Sequence, residues 1–261
     1  MRLAFLHSFQ SEWLKRRRSH AYWLVTVGAF FTPAIVIAAR LVRHQGLAAA
    51  YAADGFWRLL WHDSWESMAI FFLPMAAILT TSLITQIEYR NNAWKQLHTL
   101  PLSEATLFFS KLLVVILMLG QFLLLFDLGI WLSAVIPWLL LPGVPYPSAP
   151  IPYLDFLQQT AWYFLDCLPI VAFQYLISLR SRSFLLPIGV GFMAWVAALA
   201  ALPWRYAATI PYTYCMLDYL KDEPGKKAAV PPFDIHAAAL IYVLVFVVAG
   251  FWLFAAKQDK S

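Results

Sequence analysis

Long apolar runs alternate with short polar breaks along the whole chain. The charge-poor runs cover about 21–40, 66–86, 110–136, 156–179, 183–204 and 236–256. Each is close to the roughly 20 residues that a helix needs to cross a hydrocarbon core about 30 Å thick. The pattern predicts an all-α integral membrane protein with six transmembrane helices in one domain over 1–261. Ahead of the first run, Leu3, Leu6, Phe9 and Trp13 recur at helical spacing and are followed by Lys15–Arg18. This predicts an amphipathic helix over 2–18 lying on the membrane surface, its cations toward anionic headgroups.

The breaks differ in character. In DGFWRLLWHDSWE, Trp57, Trp61 and Trp65 fall at i, i+4, i+8, and so do Arg58, His62 and Glu66. Two adjacent stripes, one aromatic and one polar, predict an interfacial helix leading into the second span, with Asp54 as its N-cap and the tryptophans as interfacial anchors. His62 and Glu66 have metal-ligand spacing, but no third ligand is near, so no metal site is expected. The break PWLLLPGVPYPSAPIP has six prolines and no charge and predicts a stiff, extended connection. The stretch 203–236 is the longest break. Its aromatic first half predicts a segment that dips back into the outer leaflet or packs across the top of the spans, with Pro211 starting or breaking a helix.

The break between the second and third runs reads EYRNNAWKQLHTLPLS over 88–103. Ile87, Tyr89, Ala93, Trp94, Leu97 and Leu100 make an apolar side, and Glu88, Asn91, Asn92, Lys95 and Gln96 a polar one. This predicts a short amphipathic helix ended by Pro101, with Ser103 capping the next helix and Glu104 in its first turn. Glu104 and Lys111 are expected to stay near water. An apolar anchor ringed by polar groups is what a docking surface needs, whereas a plain connector needs only a turn.

Composition agrees with the span count. The 261 residues are 62% hydrophobic and 13% charged, with a mean hydropathy of +0.66, against about a quarter charged in soluble domains. Lysines and arginines are unevenly shared: twelve fall beside one set of span ends (Arg2, Lys15–Arg18, Arg90, Lys95, Lys111, Arg180, Arg182, Lys257, Lys260) and seven beside the other. The bias predicts cytoplasmic termini and a cytoplasmic 88–103 segment. It also accounts for most of the net charge of +5, so nucleic acid is not an expected partner. The KRRR cluster precedes a run too long and unbroken for a cleavable leader. Cys167 and Cys215 fall in a span and a loop and predict no disulfide framework.

Catalytic signatures are missing from the sequence. There is no GxxxxGK[ST], GxSxG or HExxH, and the six histidines are scattered. No catalytic residues are assigned, and an intramembrane enzyme is disfavoured. If ATP drives this protein, another chain must bind it. Two acids interrupt the spans, Asp127 and Asp166. An ionised carboxylate in the bilayer centre costs at least about 2.5–3.5 kcal/mol, so such groups face a cavity, a partner or a bonded site inside the bundle. Asp166 and Asp127 are candidates for a transport path or subunit interface.

The chain resembles the permease subunits of type-2 ABC exporters, in the branch associated with lantibiotic and bacitracin self-immunity. The resemblance rests on EYRNNAWKQLHTLPLS (88–103) followed by Lys111, on QYLISLRSRSFLLPIGVGF (174–192), on EWLKRRRS (12–19) and more loosely on IPYTY (210–214). It implies a multi-pass protein of the bacterial cell (inner) membrane that exports a peptide antibiotic or other amphipathic compound. It further implies a separate ABC ATPase, in two copies, that binds ATP and Mg, and a second permease, identical or sister. The 88–100 segment is then the coupling helix, with Glu88, Tyr89, Arg90, Asn91, Asn92, Trp94, Lys95 and Leu97 as coupling residues and no cofactor held by this chain. The competing reading is a membrane sensor or assembly factor that docks a cytoplasmic partner and moves nothing.

Overall fold

Helices form where the apolar runs lie. The computed structural model describes residues 2–17, 19–87, 103–181, 183–221 and 231–258, and every regular element among them is helical. The predicted coupling residues Glu88, Tyr89, Arg90, Asn91, Asn92, Trp94, Lys95 and Leu97 lie outside the described residues.

The amphipathic segment is α1 (Arg2–Arg16). The first apolar run is divided into α2 (His20–Ala29) and α3 (Phe31–Val42). Pro33 has no N–H to offer the Ala29 carbonyl. The chain turns at Phe30, whose N–H reaches back to Val27 O at 3.2 Å before Ala34 N resumes the ladder on Phe30 O at 2.8 Å. After the short α4 (Leu47–Tyr51), α5 (Phe56–Ser67), a π-helical turn (Met68–Phe72) and α6 (Leu73–Thr85) form one rod. Asp54 does not cap it: Gly55 occupies the cap position without any side-chain bond. The rod starts one residue too late for the Asp54 carboxylate.

Helix α7 (Glu104–Leu140) begins as predicted, with Ser103 Oγ accepting from Thr106 N at 3.2 Å. It runs through Pro137 to Leu140, four residues past the expected end at 136. Pro137 frees the Ser133 carbonyl, and Arg40 of α3 fills it at 3.0 Å while Tyr51 Oη donates to the neighbouring Ala134 O at 2.9 Å. Distant donors thus satisfy the proline defect, and the helix continues. The same device operates in the α5–α6 rod, where Pro74 frees Ile70 O and Trp195 Nε1 donates to it at 2.8 Å.

Helix α8 (Tyr153–Arg180) is followed by α9 (Leu185–Ala201), two 3₁₀ turns (Ala207–Thr209 and Pro211–Thr213), α10 (Tyr214–Lys221) and α11 (Ile235–Gln258). By length and composition, five helical stretches among the described residues can cross a membrane: His20–Val42, Phe56–Thr85, Glu104–Leu140, Tyr153–Arg180 and Ile235–Ala256. The fifth expected span, 183–204, is a helix of 17 residues, about 25 Å long.

Helix α8 lies inside the bundle, packed along α6, α7 and α11. Trp65, Phe108, Phe122, Phe126 and Tyr175 fill the core, while Leu124, Leu128, Ile241, Leu244, Val248 and Trp252 face outward. Lipid tails are as apolar as leucine, so close backbone approach and polar locks must hold such helices together. A Cβ on Gly129 of α7 would lie 2.6 Å from the Pro33 ring, and one on Gly191 of α9 would lie 2.1 Å from the Gln174 amide. Within 203–221, Tyr212, Tyr214, Cys215 and Met216 are buried, and Pro211 opens a 3₁₀ turn.

Candidate functional site

At the end of the bundle that carries Ser103, three contacts join α1 to α7. Lys111 Nζ donates to Glu12 Oε2 at 2.8 Å, Ser8 and Ser110 hydroxyls meet at 3.0 Å, and Arg16 donates to Gln121 at 2.6 Å. Glu12 and Lys111 are both about 6% exposed. Lys111 therefore does not sit at the water boundary, as expected from sequence; a carboxylate from α1 allows it to be buried. Burial raises the Glu12 carboxyl, but Lys111 and then Lys15 outweigh it and hold it below its ordinary value. On the opposite flank of 88–102, Gln86 at the end of α6 donates to Ser181 O, just past α8, at 3.1 Å. Both approaches to the predicted docking segment are thereby fixed.

The segments carrying the sequence resemblance also meet each other. The Gln174 amide carbonyl accepts from Tyr212 Oη at 2.8 Å and Gly191 N at 3.3 Å, and its NH₂ donates to Pro187 O at 3.1 Å. Three groups from two stretches share one buried amide, and the lack of a side chain at Gly191 leaves room for it.

At the end with the proline-rich connection, the aromatic stripe lies inside the protein. Trp57, Trp61 and Trp65 are 3%, 6% and 1% exposed, so they face neighbouring helices and not a lipid rim. Trp57 Nε1 donates to Ala149 O at 3.0 Å, within the proline-rich connection. Trp61 Nε1 donates to Gln159 at 2.7 Å, and its ring stacks on Phe156 at 4.1 Å. Trp65 stacks on Tyr163 at 4.1 Å. Of the polar stripe, Arg58 is exposed and lies 3.4 Å from Asp155, while His62 stacks on Tyr219 at 4.9 Å.

The Trp61–Phe156 stack borders two cavities. One, about 540 Å³ and open, is lined by Arg58, His62, Asp155, Gln159 and Tyr163 along with the stack. The other, about 120 Å³, is almost wholly apolar and is lined by Trp57, Trp61, Trp131, Tyr153, Phe156 and one carboxylate, Asp127. Thr160 Oγ1 donates to Asp127 Oδ2 at 3.0 Å, while Asp127 Oδ1 is buried without a hydrogen-bond partner.

Asp166 is fully buried and bonded within the bundle. Its Oδ1 meets His236 Nδ1 at 2.8 Å, and His236 Nε2 lies 3.7 Å from Asp218 Oδ1. Trp162 stacks on the imidazole at 4.3 Å. Asp234 accepts from His236 N at 2.9 Å and so fixes the start of α11 that presents this ring. Asp166, Asp218 and His236 each offer a ligand atom within 4.8 Å of the others. They are the described residues that could hold a metal ion. Lys221 already pairs with Asp218, so a metal would have to displace an ion pair. His236 and Asp218 escaped the sequence reading because they are 70 and 52 residues from Asp166 and belong to no spacing motif.

Cys167 and Cys215 are likewise brought together as buried free thiols. The neighbouring Cys167 thiol, followed by burial, pushes the Cys215 thiol up, which makes it a poor nucleophile.

Residues 8–198 match the sequence profile of the family described as ABC-2 family transporter protein. No curated protein matches the chain.

Proposed function

The chain belongs to the ABC-2 family of transporter proteins, and from this premise we propose that it is an exporter permease moving a peptide antibiotic or other amphipathic compound. A member of this family is a membrane transport component, not itself catalytic, and it implies an ATPase partner. The observation that carries the reading is the extent of the family match, 8–198, which includes the whole 88–103 segment.

In mechanism, two ATPase subunits bind ATP with Mg and close. Residues 88–100 sit in the ATPase surface as a coupling helix, Trp94 as the apolar anchor and Glu88, Arg90 and Lys95 as its polar surround. The push passes to the end of α6 and the start of α7. The α1 brace on Lys111 and the Gln86–Ser181 bond make these ends stiff. Two permeases, identical or sister, then rearrange around a shared path in the bacterial inner membrane. The aromatic cavities near the proline-rich connection support an amphipathic cargo taken from the outer leaflet.

The test replaces Glu88 and Trp94 together in the reconstituted complex. The expected result is a folded permease whose partner's ATP hydrolysis no longer drives transport. Unchanged ATPase binding together with unchanged export would remove the coupling role from this segment.

A further inference from the structure

The apolar cavity contains a feature that neither packing nor export by itself explains. A single carboxylate, Asp127, lies among aromatic rings, with no Lys, Arg or His among the described residues that line the cavity. One of its oxygens has a donor, Thr160, and the other is buried with none. A carboxylate in a transmembrane helix is costly unless it is paired. The five rings beside it come from Trp57, Trp61, Trp131, Tyr153 and Phe156.

Aromatic faces attract cations, and indole attracts them best. Two of the indoles are already oriented by their own hydrogen bonds, Trp57 to Ala149 O and Trp61 to Gln159, and Trp61 is backed by Phe156. The site is thus preformed, which lowers the ordering cost of binding. Its mouth is bordered by Trp131, Tyr153 and Leu157, which are 38%, 63% and 55% exposed. They lie on the outer surface of the bundle.

We propose that this cavity binds the ammonium head of an amphiphile: the cation beside Asp127 and the aromatic rings, the chain leaving past Trp131, Tyr153 and Leu157. An anion beside Asp127 would be repelled, and a neutral head would leave the charge of the carboxylate uncompensated. Two sources carry this chemistry, a resident aminophospholipid and a free cationic amphiphile. As a cargo site the cavity rests on the export reading. The binding itself does not.

The test measures saturable binding of radiolabelled dodecyltrimethylammonium to the full-length permease in phosphatidylglycerol nanodiscs. Unlabelled probe should compete, while dodecyl sulfate and dodecanol should not. Asp127→Asn should weaken binding at least tenfold. Trp131→Leu, at a partly exposed ring, should weaken it at least threefold and decides the matter if Asp127→Asn does not fold. Absence of saturable binding, or binding within twofold of wild type in a folded variant, overturns the proposal. Lipid extracts of wild type and Asp127→Asn purified from native membranes separate the sources. Ethanolamine lipid enriched on wild type alone assigns the site to a resident lipid. Equal extracts with probe binding intact assign it to a free amphiphile. No ATPase is present, so failure here leaves the export reading untouched.

Discussion

The Glu12–Lys111 pair is a local contact with a predictable pH dependence. It joins the surface helix α1 to the first turns of α7 at 2.8 Å, with both side chains 7% exposed. Because the folded Glu12 carboxyl lies below its ordinary value of 4.5, its contribution to stability is fully present above that value and is lost as the pH falls through the depressed folded value. The protection of the α1 amides, taken relative to their intrinsic exchange rate at each pH, should therefore fall in acid in the wild type. Glu12→Gln should remove that dependence and leave α1 loosened at every pH. Removing one partner of a buried pair costs about 3–5 kcal/mol, whereas replacing both by apolar groups is far milder. Glu12→Gln should thus destabilise more than a Glu12→Leu, Lys111→Met double change, as measured by thermal unfolding in detergent. An α1 whose protection ignores both pH and Glu12 would show that the brace lies elsewhere.

At the level of elements, helix contact depends on missing side chains and on filled proline defects. Gly129 and Gly120 lie on the same helix and have opposite surroundings. A Cβ at Gly129 would lie 2.6 Å from the Pro33 ring, which its own backbone holds rigid, while one at Gly120 would meet Phe164 at an ordinary 3.9 Å. Gly129→Ala should destabilise by about 1–3 kcal/mol through overpacking, while Gly120→Ala should be neutral or gain up to about 1 kcal/mol from chain entropy. Thermal unfolding of the two variants side by side checks this, and equal effects would refute it. Apolar runs and the Ser103 cap were legible in the sequence because they depend on local periodicity. The continuation of α7 through Pro137 was not. It depends on Arg40 and Tyr51, which reach the freed carbonyls from about 80 to 90 residues away in sequence. The tryptophan stripe was legible as a stripe, but its direction was not, since Trp57, Trp61 and Trp65 are turned inward by α8 and the proline-rich connection.

For the whole molecule, the same distinction separates the parts of the candidate site. Asp127 and Asp166 stood out in sequence because a charge in an apolar run is visible by itself. Their partners Thr160, His236 and Asp218 are polar residues of ordinary appearance until the bundle closes around them. The docking segment was visible as a polar island, and its supports were not. Of these, the bond from Gln86 to Ser181 O bears most directly on the proposed function. A coupling helix transmits force only as well as its ends are held. Gln86 is 2% exposed and links the end of α6 to the end of α8, so under the proposed function a push at 88–100 would move two helices together, and α8 carries Asp166 and one wall of both cavities. Gln86→Leu keeps the side chain's bulk and removes the donor, and its effect on the fold should be about 1–3 kcal/mol for the unsatisfied Ser181 carbonyl. Affinity for the ATPase should be unchanged, because Gln86 precedes the docking segment. The ratio of substrate moved to ATP hydrolysed, measured in proteoliposomes, should fall several-fold. A folded Gln86→Leu complex with the wild-type ratio would mean that α6 transmits the stroke alone, and that α8 is moved by something other than this bond.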